Sequence, residues 1–560
     1  MSTRVLLEWL SAAAVAQQFA GIARCLRAPL PALTGERRLA LDTAMRFSQY
    51  GQALPAFIVL SQLRRELPND AEVCARHDIE RAYGMAGLHE QQGRPDAALA
   101  AADALLRAVP WHRATRMLRA SLLAGRGEAA QAVEEYRRIV ELVPGDAIAH
   151  SALLIAMQHD PALSADAIAD AHRAWAAQHM PRIAPRWTAR MPHADPDRPL
   201  RIGWISPRFF SGLVADFFLR VLERFDRRDA QHVLYDAGGV DDAGCVRFRA
   251  AADAWQRVDE LDDAALCERI RADRIDVLVE LGGHSPGNRL RALARRPAPV
   301  QATWLDYFHS TGTQAVDVLI SDAVSSPPSL AQRYSERVLA LPSGRLCWSP
   351  PPDAPAVAAR NAGPPRFASF NRVNKINDAV LAAWSRILAG VPGSVLRLKA
   401  RAFDVADGRT GFLARCAKQG IPAGRLELLG YGSHAQALAA YAEADIALDP
   451  FPFSGCATSL DALWMGVPVV TRVGETMCGR QSASLLASLG LDELVAENTD
   501  DHVRRAIDLA NDGARRRELR ATLRERVRGT LCDTDRHARE LSLALREAWR
   551  SWCRGELDDV

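Results

Sequence analysis

The sequence predicts an α/β protein with an all-α N-terminal region, in which helical repeats precede two Rossmann-like lobes. Three observations support this class. The first third of the chain is rich in Ala, Leu and Arg and carries an internal repeat. From residue 200 onward, short β-rich runs alternate with helical stretches. Prolines concentrate in two segments, 181–199 and 345–365, which we interpret as linkers.

The internal repeat has a period of 34 residues between its second and third sets, and 42 between its first and second sets, where about eight extra residues are inserted. Three triplets share the same internal offsets: Gly51, Ala56 and Pro68; Gly93, Ala98 and Pro110; Gly127, Ala132 and Pro144. Glycine at this place is expected to permit close helix approach, and proline to stop each second helix. The pattern resembles the tetratricopeptide repeat, although a helical bundle with chance spacing is an alternative. We therefore expect a helical repeat domain over residues 1–180, closed by a helix pair in 148–178.

Two α/β segments follow, a first lobe over 200–344 and a second lobe over 366–545. The β-rich runs of the first lobe are 200–206, 232–237, 275–281, 300–306 and 316–322. Those of the second lobe are 366–371, 395–400, 426–430, 445–450 and 467–471. A proline-rich crossing between two such lobes implies a cleft, with ligands at the C-terminal ends of the strands. Residues 546–560 are expected to form a C-terminal helix or tail.

Charge and composition favour neither nucleic acid nor membrane as a partner. The 70 basic and 67 acidic residues leave a net charge of only +3. No uninterrupted apolar run approaches the ~20 residues of a membrane span, and residues 5–23 are interpreted as an amphipathic helix rather than a signal peptide. The ten scattered cysteines show no zinc-ligand spacing, which favours reduced thiols in a cytoplasmic protein.

The segment 447–471 is the most informative part of the chain, because it predicts strand, tight turn, helix and strand in succession. The turn ends at Gly455, and Thr458 and Ser459 open the helix. A helix start of this kind presents backbone N–H groups and a positive dipole end, which suits a phosphate. Asp461 lies about one turn further, where its carboxylate can reach a ribose hydroxyl. The alternative is an ordinary βαβ crossover without a ligand.

A second polar segment, FNRVNKIND at 370–378, follows the first strand of the second lobe. Lys375 is expected at the C-terminal end of that strand, where its ammonium group can neutralise a diphosphate. Asn371 and Arg372 can donate hydrogen bonds beside it. A solvated lysine is the alternative. One cation and one helix start can stabilise a departing nucleoside diphosphate without a metal.

These segments carry a resemblance to a known family. ELGGHSPGNRLRALARRPAPVQATWLDYFHSTGT, YSERVLALP, FASFNRVNKIND, DIALDPFPFSGCATSLDALWMGVPVVT and GETMCGRQSASLLASLGLDELVA are similar to the O-linked N-acetylglucosamine transferase family, the inverting family 41 of glycosyltransferases, in its bacterial form. The resemblance spans about residues 200–545. It implies tetratricopeptide-like helical repeats followed by a GT-B glycosyltransferase, a UDP-sugar donor such as UDP-GlcNAc, no essential metal, and transfer to Ser or Thr of proteins.

The resemblance also assigns roles to single residues. It places Lys375 on the diphosphate, Asp461 on the ribose, and Gly432 in the loop that contacts uracil. The loop assigned to the diphosphate comprises Gly455, Cys456, Ala457, Thr458 and Ser459. Three of the positions depart from familiar members: Cys456 replaces a histidine, Ala457 a threonine and Arg372 a glutamine.

Two further departures leave the general base open. Gly212 stands where the family offers a histidine near the reacting centre, and Asp216 is the nearest titratable substitute. Ala437 stands where many members stack a histidine on uridine, a role that His434 could take. The candidate bases are Asp216, His284 and His309. Each also has a purely structural interpretation: Asp216 as a helix cap, His284 as a turn residue and His309 as a loop residue.

We expect from this sequence an inverting, UDP-sugar-dependent protein glycosyltransferase that moves N-acetylglucosamine to Ser or Thr. The helical repeats are expected to bind the acceptor polypeptide along a groove, and Arg480 to point into the cleft. A glucosyltransferase acting on Asn is an alternative, because the missing histidine allows a change of substrate. The second alternative is a helical-repeat scaffold that has lost catalysis but retains nucleotide binding.

Overall fold

The computed structural model describes residues 2–15, 22, 25–49, 52–187, 195–359 and 363–557. The chain forms two compact units. The first comprises Met1–Ala156 and Asp404–Gly411, and the second Met157–Phe403 and Phe412–Val560. Gly51 and Pro192, which belong to the predicted repeat and linker, lie outside the described residues, as do 16–21 of the predicted first helix.

The first unit is built from helices that pack against their neighbours in sequence. Their bounds are α1 Thr3–Val15, α2 Arg37–Gln49, α3 Ala53–Glu66, α4 Ala71–Gln91, α5 Pro95–Ala108, α6 Arg113–Gly125, α7 Ala129–Leu142 and α8 Ala147–Met157. The repeat alanines Ala56, Ala98 and Ala132 are fully buried. The helical N-terminal region is therefore confirmed.

The repeat glycines serve a purpose different from the predicted one. Gly93 and Gly127 stand in the turns between helices with φ of +69° and +79°, a conformation that glycine adopts without steric cost. Their positions are explained by the turn rather than by helix packing. Pro110 and Pro144 follow the last residues of α5 and α7, as expected of a residue that stops a helix.

The second unit contains two parallel sheets. The first has the order β3-β2-β1-β4-β5-β6-β7, with β1 Leu200–Ser206, β2 Ala230–Asp236, β3 Ala254–Arg257, β4 Val277–Glu280, β5 Val300–Thr303, β6 Val318–Ser321 and β7 Arg337–Ala340. The second has the order β10-β9-β8-β11-β12-β13, with β8 Arg366–Ser369, β9 Val395–Lys399, β10 Leu426–Leu429, β11 Ile446–Leu448, β12 Val469–Arg472 and β13 Val495–Ala496. Every predicted β-rich run contains a strand, and the edge strands β3, β7 and β13 are additional.

Helices cover these sheets. Their bounds are α9 Ala165–His179, α10 Arg220–Leu222, α11 Ala243–Ala251, α12 Asp263–Ala272, α13 Leu290–Leu293, α14 Asp378–Gly390, α15 Ala406–Lys418, α16 His434–Ala440, α17 Ala457–Trp464, α18 Gln481–Ser488, α19 Thr499–Asn511, α20 Gly513–Gly529 and α21 Thr534–Cys553. Helix α21 packs against α10 and β5 of the first lobe. The last helix thus returns to the first lobe and is continuous across residue 545, the predicted end of the second lobe.

The strand order positions the site. In the second sheet the chain proceeds from β8 to one edge and from β11 to the other, so β8 and β11 are neighbours at the point where the order reverses. They pair in parallel, with Ile446 opposite Phe367 and Ala447 opposite Ala368. The segments after β8 and after β11 must therefore emerge at the same edge of the sheet, where ligands of open α/β sheets bind.

Candidate active site

Lys375 lies where the segments after β8 and β11 meet. It ends a short 3₁₀ turn, Val373–Lys375, that links β8 to α14. Its Nζ donates to the carbonyl oxygen of Ser454 at 2.7 Å and is 4.3 Å from the ring centroid of Phe453. Burial lowers the pKa of this ammonium to about 8, and Asp449 opposes that shift. An anion placed here would raise the pKa again and hold the lysine charged.

Asp449 and Gly455 fix the shape of the turn that precedes α17. The buried Asp449 carboxylate accepts from the Gly455 N–H at 2.6 Å and from the Thr471 hydroxyl at 2.7 Å. A Cβ added at Gly455 would lie 2.2 Å from the Ser459 hydroxyl oxygen, so no other residue fits without displacement. The turn is thereby closed tightly onto the start of the helix.

The start of α17 faces the segment after β8. The first intrahelical hydrogen bond runs from Leu460 N to Cys456 O at 2.9 Å, which leaves the earlier N–H groups without partners inside the helix. The Thr458 hydroxyl donates to Asn371 Oδ1 at 2.9 Å, and this contact joins the two segments directly. Burial raises the pKa of the Cys456 thiol, so this side chain is neutral, and Ala457 offers no polar side-chain atom.

The predicted ribose carboxylate is already paired. Asp461 Oδ1 lies 2.9 Å from His434 Nε2, and this hydrogen bond raises the pKa of His434. Asp216, from the first lobe, lies close enough to both groups to feel their charges. Burial raises its pKa, His434 opposes the increase, and Asp461 adds to it. His434 is predicted to stack on the uridine, but in the structure the edge of its ring contacts Asp461.

The other predicted nucleotide-binding positions lie on exposed segments or bridge the lobes. Arg372 is exposed. Gly432 precedes α16 beside Gln436, whose Oε1 would lie 2.5 Å from a Cβ at that glycine. Arg480 donates to the Val324 carbonyl of the first lobe at 2.6 Å and to the Gly474 carbonyl at 2.8 Å. It therefore links the two lobes through backbone oxygens.

The two predicted histidine bases are interior. His284 donates through Nε2 to the Thr311 carbonyl at 2.9 Å and is 1 % exposed. His309 is stacked on His172 with ring centroids 4.3 Å apart, and burial, followed by the neighbouring histidine charges, lowers its pKa well below the usual value. His309 is therefore a neutral ring, and both side chains are packed in the first lobe. The role of general base for either stays an untested prediction.

Sequence reasoning missed the aromatic surface beside Lys375. Phe453 contacts Phe308 of the first lobe edge to face, with centroids 4.4 Å apart, and His159 is stacked on Phe453 at 4.6 Å. His159 follows the last residue of α8 in sequence, far from both lobes along the chain. No local pattern identifies such a contact, although the aromatic residues within DPFPFSG were a usable signal.

The sequence that forms this site matches a known family of enzymes. The model of Glycosyl transferase family 41 matches residues 144–346 and 365–541, which include the segments after both β8 and β11. The chain belongs to this family. The matched ranges contain all the strands of both parallel sheets, together with Lys375 and α17.

Two curated family 41 relatives are plant proteins. The chain is 37 % identical over 407 residues to the probable UDP-N-acetylglucosamine–peptide N-acetylglucosaminyltransferase SPINDLY of Arabidopsis thaliana, covering 70 % of this chain and 44 % of that protein. It is 27 % identical over 371 residues to the SEC protein of the same plant, described with the same activity, covering 64 % and 38 % respectively. The chain thus spans less than half the length of these relatives.

A solved family 41 structure is also similar. A mutant of the Thermobaculum terrenum O-GlcNAc transferase superposes with a TM-score of 0.81 at 32 % identity, covering 93 % of this chain and 98 % of that one. Among the described residues of the present chain, no helix is long and apolar enough to cross a membrane. Within the same residues, no three His, Cys, Asp or Glu side chains are grouped in a way that could hold a metal ion.

Proposed function

We propose that the protein is an inverting, UDP-sugar-dependent protein glycosyltransferase that transfers N-acetylglucosamine to Ser or Thr side chains. The carrying observation is the juxtaposition of the Lys375 ammonium with the turn that starts α17. Its Nζ bonds to Ser454 O at 2.7 Å, and the Thr458 hydroxyl reaches back to Asn371 at 2.9 Å. The activities named for the plant relatives and for the Thermobaculum protein support the donor and the acceptor class.

In the proposed reaction the acceptor hydroxyl oxygen attacks the anomeric carbon as the bond from that carbon to the diphosphate oxygen breaks. Negative charge develops on the departing UDP. Lys375 and the N–H groups at the start of α17 stabilise that charge, since they are preorganised in a partly buried site. Asp461 would exchange its contact with His434 for the ribose hydroxyls. The hydroxyl proton is transferred to solvent or to a neighbouring basic side chain.

Replacing Lys375 by Ala tests the proposal. Because the ammonium acts on the leaving group, we expect transfer to fall by at least ~100-fold, a loss typical of removing one preorganised electrostatic group. The matched control is Lys418→Ala, since Lys418 is exposed at the end of α15. The measurement is UDP release and peptide mass with UDP-GlcNAc as donor. Full activity of the Lys375 variant contradicts the assigned role.

A change of substrate is the second candidate function. Gly212 is exposed with φ of +154° and has only the Phe210 ring near the place of a Cβ, so no imidazole occupies this position. This favours testing glucose transfer to Asn, with UDP-glucose and Asn-containing peptides in the same mass assay. A glucose-on-Asn product without GlcNAc transfer would replace the first proposal. Binding of UDP without transfer of any sugar to any peptide would favour the scaffold that has lost catalysis but retains nucleotide.

The acceptor and the location belong to the same proposal. We infer that the helical repeats bind the acceptor polypeptide, since stacked helix pairs form extended surfaces. The ten free cysteines support a reducing, cytoplasmic location. Binding of the acceptor to the helical repeats is tested with the full chain. An acceptor peptide is cross-linked to the protein, and the attachment sites are then mapped.

A further inference from the structure

His159 occupies a position that the mechanism above does not use. It belongs to the short connection between α8 and α9, yet its ring lies parallel to that of Phe453, with an interplanar angle of 13° and a centroid distance of 4.6 Å. The same Phe453 ring carries the Lys375 ammonium at 4.3 Å. Phe453, in the proposed diphosphate loop, therefore contacts both the Lys375 ammonium and the His159 imidazole.

The connection that carries His159 is fixed by its neighbours. Gln158 Nε2 donates to the Tyr307 hydroxyl at 3.0 Å, and the Tyr307 hydroxyl lies 2.7 Å from His172 Nε2. His172 Nδ1 lies 2.7 Å from the Ile168 carbonyl, so Nδ1 carries the proton and Nε2 accepts from Tyr307. This chain of hydrogen bonds ties the connection to the first lobe and restrains the His159 backbone.

The ring of His159 has a polar atom that its surroundings do not satisfy. Nδ1 is buried and has no hydrogen-bond partner within the described residues. The side chain as a whole is partly exposed, and Nε2 is not among the buried ring atoms that lack a partner, so we infer that Nε2 is the nitrogen accessible to a bound molecule. Burial, and then the charges of Lys375 and Arg372, lowers the pKa of His159 to about 3, so the imidazole is neutral at ordinary pH. A neutral ring can carry its proton on either nitrogen, and the tautomer protonated at Nδ1 presents a lone pair at Nε2.

We propose that His159 binds the acceptor hydroxyl through Nε2 and orients its oxygen toward the anomeric carbon of the donor. This inference rests on the proposed glycosyl transfer. It assigns the positioning of the acceptor to a residue that lies outside the sequence motifs of both lobes. The neutral ring accepts the hydroxyl hydrogen bond, which points an oxygen lone pair at the carbon. Lys375, on the same aromatic side chain, stays with the leaving diphosphate. His284 and His309 are enclosed in the first lobe and cannot offer such a contact without rearrangement.

The decisive variant is His159→Phe, because phenylalanine preserves a flat ring for stacking on Phe453 and removes both nitrogens. We expect its rate of transfer at saturating donor to fall by roughly 100-fold, the loss typical of a mispositioned reactant. Affinity for UDP, measured by calorimetry, should stay within about twofold of wild type, because the diphosphate contacts are intact. His159→Gln, which restores a hydrogen-bond acceptor, should recover part of the lost rate.

The assay uses the full chain, UDP-GlcNAc, and a pool of synthetic peptides that each contain one Ser or one Thr, with the peptide modified by wild type serving as acceptor. Transfer by the His159→Phe variant at the wild-type rate overturns the inference. A parallel loss of UDP affinity and rate also overturns it, because His159 would then only support the donor loop. Should the Phe variant melt well below wild type, His159→Leu, which also lacks a hydrogen-bond acceptor, decides by the same two measurements. A wild type that neither binds UDP nor modifies any peptide refutes the proposed function itself.

Discussion

The substitution Gly455→Ala tests whether the tight turn before α17 is what forms the diphosphate site. The added Cβ would lie 2.2 Å from Ser459 Oγ and 2.7 Å from Asp449 Oδ1. Neither atom is free to move, because Ser459 is hydrogen-bonded to Ser482 at 2.8 Å and Asp449 to Thr471 at 2.7 Å. An ordinary contact needs about 3.4 Å or more, so the turn must shift by about 1 Å.

The expected magnitudes follow from that shift. Overpacking of this kind costs ~1–3 kcal/mol in the free energy of unfolding. Moving the N–H groups by about 1 Å away from a bound diphosphate should weaken UDP binding by roughly tenfold or more, since tenfold corresponds to ~1.4 kcal/mol. Transfer should fall by about 100-fold, because positioning errors of this size affect the reacting geometry.

Calorimetric titration with UDP and thermal unfolding measure these effects. The matched control is Gly424→Ala, because a Cβ at Gly424 meets nothing within 4 Å and this glycine lies in the same lobe. The double variant Gly455→Ala, Ser459→Ala removes the hydroxyl responsible for the shorter contact and should regain part of the affinity. Wild-type UDP affinity in the Gly455→Ala protein would refute the reasoning.

Two further predictions concern coupling and acid stability. Asn371→Ala and Thr458→Ala should weaken UDP binding less than additively in the double variant, with a coupling of ~0.5–3 kcal/mol, because they share one 2.9 Å hydrogen bond; additive losses would contradict that link. Burial lowers the pKa of His502 to about 4, below its unfolded value of ~6.5, so its contribution is complete above pH ~6.5 and is lost toward pH 4 at up to ~1.4 kcal/mol per pH unit. His502→Gln should therefore flatten the dependence of unfolding free energy on pH over this range, and an unchanged slope would contradict the assignment. Burial also lowers the pKa of four other buried histidines: His150, His232, His309 and His537.

The fold was predictable because its elements have local signals. The central strands are apolar over short runs, and Leu200–Ser206 is buried at nearly every position, as expected of a strand covered on both faces. The edge strand Arg337–Ala340 escaped prediction because it is only partly buried and carries no continuous apolar run. The repeat glycines were located correctly but misinterpreted, since spacing alone does not distinguish a helix contact from a turn of positive φ.

The site was predictable where one segment contains both the geometry and the chemistry. The turn at 449–456 and the start of α17 are adjacent in sequence, and Lys375 follows a strand that the topology makes a neighbour of β11. Contacts between distant segments were not accessible in this way. His159 reaches Phe453 across almost 300 residues of sequence, and the pairing of His434 with Asp461 depends on the approach of α16 to α17.

That pairing has a consequence for how a donor would bind. If Asp461 binds the ribose as proposed, a hydroxyl that takes Oδ1 replaces His434. The release of His434 would then change the charge felt by Asp216 of the first lobe, because the His434 ring lowers the pKa of Asp216 while Asp461 raises it. Under the proposed function, donor binding in the second lobe would therefore be coupled by charge to a carboxylate of the first lobe. Such a coupling would let occupation of the nucleotide site set the state of Asp216 before an acceptor arrives.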